Sequence, residues 1–218
     1  MAENILIVAA HSDDQIIGVG GTAAKYVKEG FDVTTVIVSK GEISHPHFKE
    51  EIIIDTRKRE SIRANKVIGG KAVKFLGLFE KDFNKEVKIY KAQKKLETLI
   101  RRLKPVKIFV HAPEDPHPAH KKTNRMVLDI IENERRKIEV YSFDIWNPFR
   151  WDRKKHPKLV VDTSETFDTK IKALKCFKSQ FNILGFLNFF ALATMYVKNV
   201  MNGRKYNTKY AEVFYRLR

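Results

Sequence analysis

"ILIVAAHSDDQIIGVGGTAAKYVKEGFDVTTVIVS", residues 5–39, decides the fold. Its first six residues form an unbroken apolar run ending at Ala10, the pattern of a short strand buried on both faces. Helical spacing follows from Gly18 to Lys28, closed by Gly30, and a β-branched strand runs from Phe31 to Ser39. The alternation continues downstream. Helices are expected over 50–68, 90–103 and 117–131, the last with Pro118 in its first turn. Short strands are expected at 73–76, 106–110, 138–145 and 159–161. A helix over 166–177, an apolar segment and a closing strand in "AEVFYRL" complete the pattern. Strands separated by helix-length connections make a parallel sheet covered on both faces. The expected fold is therefore α/β: a three-layer, Rossmann-like arrangement with a mainly parallel sheet. It is read as one domain over 1–218, with a core sheet over 1–163 and a helical and closing-strand segment over 164–218. The Lys-rich, aromatic stretch 146–156 reads as an exposed loop.

The whole chain sets outer limits. It has 218 residues, 43% hydrophobic and 31% charged, as expected of a soluble globular protein with a sizeable core. The single cysteine, Cys176, excludes an internal disulfide and a thiolate zinc knuckle. A metal here must be held by histidines and carboxylates. The 42 Lys and Arg against 26 Asp and Glu give a net charge of +16, compatible with nucleic acid, acidic lipid headgroups or anionic substrates. The lysines are scattered and no nucleic-acid-binding signature is present, so nucleic acid is not read as the main partner. No secretory leader pattern is visible, and a cytoplasmic location is expected. Residues 181–197, "FNILGFLNFFALATMYV", are nearly free of charge, but Asn182, Gly185 and Asn188 interrupt them. They read first as a buried or interface helix, which could pack between subunits of a homo-oligomer. Flanking lysines and arginines keep a peripheral membrane or glycolipid contact as the alternative.

Open parallel sheets place their sites beyond the carboxyl ends of the strands. His11-Ser12-Asp13-Asp14, Lys40-Gly41-Glu42 and residues 111–120 should therefore converge, together with whatever follows Leu76. The run from Gly18 to Ala23 fits the dinucleotide fingerprint only superficially. Seven residues separate Ala10 from Gly18, and no acid ends the second strand, so these glycines are read as packing residues. His11 and Asp14, spaced i and i+3 in a turn, can offer one nitrogen and one oxygen to a metal. A catalytic zinc site takes three protein ligands and keeps a position open. "EDPHPAH", residues 114–120, can supply the third: of His117 and His120, one could bind metal while the other reaches the substrate. Asp13 could face the same water and move its proton. His45, His47, His111 and His156 are read as histidines without a role.

These motifs, in this order, resemble the LmbE-like, or PIG-L, deacetylases. "AHSDDQ" is similar to their AHPDD(E/D) signature, and "SKGE" at 39–42 to their second-strand turn. Arg57, Glu60, Ala64, Ile68 and Gly69 match a following helix pattern; "DPHPAH", Ser179-Gln180 and "YAEVFYRL" match later elements. The resemblance implies a zinc-dependent hydrolase that removes the N-acetyl group from an N-acetylglucosamine-type sugar. By motif position, His11, Asp14 and His120 would bind Zn2+. Asp13 would serve as general base and then acid, and His117 would stabilise the oxyanion. Arg57 and Glu42 would meet the substrate. The chain departs from the pattern at Ser12 (usually Pro), Gln15 (usually an acid) and Ala119, where the family's Asp supports a neighbouring histidine. Two other readings remain: a basic protein binding nucleic acid or anionic glycolipid with an idle site, and a metal-dependent hydrolase of a non-sugar amide.

Overall fold

The computed structural model describes residues 2–44, 49–145, 158–181 and 185–218, with the backbone alone for 181 and 185–191. The loop expected at 146–156 lies outside the described residues, as do His45, His47 and His156.

β1 (Asn4–Ala9) is the apolar run, and Leu6 to Ala9 are fully buried. It pairs in parallel with β2 (Asp32–Ser39) on one side and β4 (Lys107–His111) on the other. β3 (Ala72–Leu78) extends the sheet beyond β2, and β5 (Glu139–Phe143) beyond β4, both in parallel. β7 (Ala211–Arg216) lies antiparallel between β5 and β6 (Lys158–Asp162). The order is β3-β2-β1-β4-β5-β7-β6, a mostly parallel sheet with an antiparallel flank.

Alternation along β1 divides the core into two layers. Ile5 and Ile7 face α1 (Asp14–Lys28), α5 (Phe167–Leu174) and, beyond the short α6 (Lys178–Phe181), α7 (Gly185–Lys205), through Ile16, Val19, Phe167, Leu174 and Met195. Leu6 and Val8 face α3 (Glu86–Leu103) and α4 (Pro118–Glu132), through Leu96, Ile100, Met126 and Val127. α2 (Glu50–Val67) joins the first layer through Ala64. On α7, Met195 is buried, whereas Tyr196, Val197 and Met201 are exposed. Among the described residues no helix is long and apolar enough to cross a membrane.

The glycines of α1 serve packing. A β-carbon on Gly18 would overlap the Phe143 ring, and one on Gly21 would lie 2.9 Å from Thr163. Gly18→Ala is therefore expected to lower the unfolding free energy by about 1–3 kcal/mol in a denaturant titration, outweighing the ~1 kcal/mol that alanine gains in a helix. Phe143→Leu in the same chain should recover part of that loss.

Two boundaries near the strand ends differ from the expected ones. α1 begins at Asp14, four residues early, because the polar residues build the first turn themselves. Asp13 O accepts from Ile16 N and Ile17 N, each at 3.0 Å, and Gln15 Nε2 donates to Ser12 O at 2.8 Å. β3 runs to Leu78 rather than Leu76; its register against β2 shifts near Ser39, and Gly77 has a positive φ of 74°.

Candidate metal centre

Strand order reverses at β1: β2 and β3 lie to one side, β4 and β5 to the other. The crevice at such a switch point opens between the carboxyl ends of β1 and β4. His11 leaves the first of these strands, and His111, Asp115, His117 and His120 leave the second.

Asp14 is the hub. Its Oδ2 accepts from the His11 backbone N–H at 2.7 Å and lies 3.2 Å from His11 Nδ1 and 3.3 Å from His120 Nε2. His11 Nδ1 and His120 Nε2 are themselves 3.2 Å apart. Three donor atoms thus form a nearly equilateral triangle. Zinc bonds of 2.0–2.1 Å in tetrahedral geometry place ligand atoms about 3.3–3.4 Å apart. The triangle has the size of one tetrahedral face, and its two nitrogens and one oxygen are a donor set that suits zinc.

The outward nitrogens of both histidines meet carboxylates. His11 Nε2 lies 2.9 Å from Glu80 Oε1, and His120 Nδ1 lies 3.0 Å from Asp115 Oδ1, close enough for an ion pair but poorly aligned as a hydrogen bond. Asp115 also accepts from His117 N at 2.9 Å, which ties the start of α4 to the same group.

The charges show what such a cluster demands. Burial pulls the His11 pKa down, but Asp14 and Glu80 outweigh it and hold it up at about 10. Burial likewise opposes protonation of His120, yet Asp14 and Asp115 raise its pKa to about 9. Burial works against ionised Asp14, but the surrounding histidines hold its pKa well below the ordinary value. The carboxylates around His11 and His120 thus favour positive charge in the pocket.

The remaining histidines are placed differently. His111 is not the role-free residue expected from sequence. It is fully buried, stacks on His120 with ring centroids 3.8 Å apart, and its Nε2 accepts from Ala10 N at 2.9 Å. With that lone pair engaged, His111 fixes the end of β1; burial and His120 push its pKa down to about 4. Asp14, His111 and His120 also bring ligand atoms within 4.8 Å, with His111 Nε2 3.2 Å from Asp14 Oδ2, as do His11, His117 and His120; but His111 Nε2 already accepts from Ala10 N. His117 occupies the N-cap of α4, where its Nδ1 accepts from Ala119 N at 3.2 Å. That bond leaves the neutral ring with its proton on Nε2. Burial, then His11 and His120, lowers the His117 pKa and keeps it neutral. At Ala119 the backbone N–H thus orients His117 without a carboxylate.

Arg57 lies against Asp13. It is 3% exposed, and its Nη2 donates to Asp13 Oδ1 at 3.1 Å, while its stem packs against Gly41. It braces Asp13 through that contact. Gly41 has a positive φ of 68°, and a β-carbon there would lie 3.0 Å from Arg57 Nε, so glycine suits the turn twice over. Glu42 is also buried; its Oε1 accepts from Glu80 N at 2.6 Å, and its Oε2 is buried without a hydrogen-bond partner among the described residues. Sequence reasoning missed Glu80 and left Asp115 without a role. The strand-end rule pointed to the region after β3, but the misplaced strand end hid the residue.

The PIG-L family, described as GlcNAc-PI de-N-acetylase, matches residues 6–131. The chain belongs to this family. Among its relatives, a probable N-acetyl-alpha-D-glucosaminyl L-malate deacetylase 2 from Bacillus cereus is 28% identical over 190 residues, covering 83% of this chain and 84% of that protein. A 4-oxalmesaconate hydratase from Pseudomonas putida is 24% identical over 198 residues, covering 82% and 74%. The solved N,N'-diacetylchitobiose deacetylase from Pyrococcus horikoshii superposes with a TM-score of 0.81 at 20% identity, covering 99% of this chain and 84% of that one. A PIG-L family fold therefore carries a hydratase as well as deacetylases, and membership alone does not fix the bond that is broken.

Proposed function

We propose that this chain is a zinc-dependent hydrolase that removes the N-acetyl group from an N-acetylglucosamine-containing substrate. The observation that carries the reading is the triangle of His11 Nδ1, Asp14 Oδ2 and His120 Nε2, with sides of 3.2–3.3 Å. Family membership and the deacetylases among its relatives supply the reaction class.

His11, Asp14 and His120 would hold the zinc. Zinc in such a site supplies Lewis acidity, polarising a carbonyl oxygen and lowering the pKa of water towards roughly 7. Asp13 stays outside the ligand set, with Oδ1 held by Arg57. It takes the proton of the attacking water and returns it to the amine that leaves. His117, neutral with its proton on Nε2, donates to the oxyanion of the tetrahedral intermediate; such donors contribute a large share of amide-hydrolysis catalysis. Glu42 acts on the site through Glu80, whose backbone N–H it holds at 2.6 Å.

His120→Ala and His11→Ala are expected to abolish stoichiometric zinc binding, measured by elemental analysis after dialysis, because two ligands cannot close the site. Acetate release is then read across GlcNAc, its oligomers, GlcNAc-inositol and lipid-linked GlcNAc. Zinc retention in both variants would refute the metal site. A zinc-loaded protein that releases acetate from none of these substrates, but does so from a non-sugar amide, would refute the sugar.

A further inference from the structure

The geometry points to Glu80 as a positioning residue for His11: its carboxylate takes the hydrogen bond of His11 Nε2–H and so aims Nδ1 at Asp14 and His120. The inference rests on reading those three residues as metal ligands. A neutral imidazole has one N–H and one lone pair. With the N–H committed at Nε2, the lone pair stands on Nδ1, the corner of the triangle. Histidine ligands characteristically donate their outward N–H to an acceptor that fixes tautomer and rotation.

The acceptor is itself held by a built framework. Glu80 begins a short 3-10 turn (Glu80–Asn84) directly after β3, and its side chain is 11% exposed. Its Oε1, 2.9 Å from His11 Nε2, also accepts from Ser39 Oγ. Ser39 Oγ in turn accepts from Gly41 N at 2.8 Å. The Glu80 backbone N–H donates to Glu42 Oε1 at 2.6 Å. The ends of β2 and β3 thus converge on one carboxylate, which holds a residue leaving β1. In the SKGE turn, Ser39, Gly41 and Glu42 together fix Glu80. A free surface carboxylate would swing away, whereas this one is clamped at side chain and backbone.

Competition with a chromophoric chelator measures zinc affinity in Glu80→Ala and Glu80→Gln, and the cobalt-substituted protein reports ligand geometry through its visible absorption. Glu80→Ala is expected to bind zinc 10–100-fold more weakly, with an altered cobalt spectrum. Glu80→Gln, which keeps an oxygen acceptor without the charge, should fall between. Wild-type affinity and spectrum in Glu80→Ala, with a raised KM alone, would overturn the inference and make Glu80 a substrate contact. If Glu80→Ala does not fold, Glu80→Gln decides alone: weakened zinc binding supports the role and unchanged binding refutes it. His11→Ala separates the two levels, because zinc retained there overturns the metal site itself rather than Glu80.

Discussion

Asp13→Asn is expected to keep a full equivalent of zinc and to lose about 10²–10⁴-fold in turnover. The substitution preserves shape, and the Asn oxygen can still accept from Arg57, which now contacts Oδ1 at 3.1 Å. None of the three triangle atoms belongs to Asp13. What disappears is a basic oxygen able to take a proton and give it back. The loss should appear in kcat, with substrate affinity little changed, because the proton moves only on the way to the transition state. Undiminished turnover in Asp13→Asn would remove Asp13 from the chemistry. Loss of zinc would instead make it a structural support of the site.

Glu212→Ala is expected to cost about 3–5 kcal/mol of stability and to lower the thermal midpoint by roughly 6–20 °C. Glu212 on β7 is 4% exposed and Lys170 on α5 is fully buried; Lys170 Nζ meets Glu212 Oε1 at 2.6 Å. The same carboxylate accepts from the backbone of α1, at Gly21 N (3.1 Å) and Thr22 N (2.8 Å). Removing it strands a buried ammonium and takes an acceptor from two amides. The double variant Lys170→Met, Glu212→Gln should regain part of the loss, since the amide oxygen still serves one of the two backbone N–H groups and no unpaired charge remains. A double variant as unstable as Glu212→Ala would place the cost in packing. Catalysis in the folded double variant should be near normal, because the pair lies away from the triangle residues.

Sequence and structure agree where one physical cause dominates. β1 was legible because its apolar run admits only burial on both faces. The convergence of His11, Asp14 and His120 was legible because strand ends meet in an open parallel sheet, which brings distant segments to one crevice. Other features depended on directions that a sequence does not carry. Arg57 could be placed near the site, but whether its fork points to solvent or to Asp13 depends on how α2 packs under Gly41. His111, a lone histidine ending a strand, gave no sign that Ala10 N–H would engage its ring. Asp13 to Gln15 looked like loop residues because polar side chains are common in turns, yet here they begin a helix. The bulge beside Gly77 lengthened β3 past its apolar pattern, and Glu80 went unseen. Nor did "AEVFYRL" disclose that its strand would run antiparallel.

The position of β7 has a consequence for synthesis on the ribosome. Ser142 in β5 pairs with Tyr215, 73 residues later. At translation rates of about 5–20 residues per second, that interval lasts roughly 4–15 s. Five parallel strands can assemble in that time, but the outer edge of β5 stays open, a template for pairing with other chains. Lys170 has been made by then and waits for Glu212. A nascent chain of this protein therefore passes through a sticky stage of defined length, and its yield in cells should depend on what shields that edge until β7 arrives.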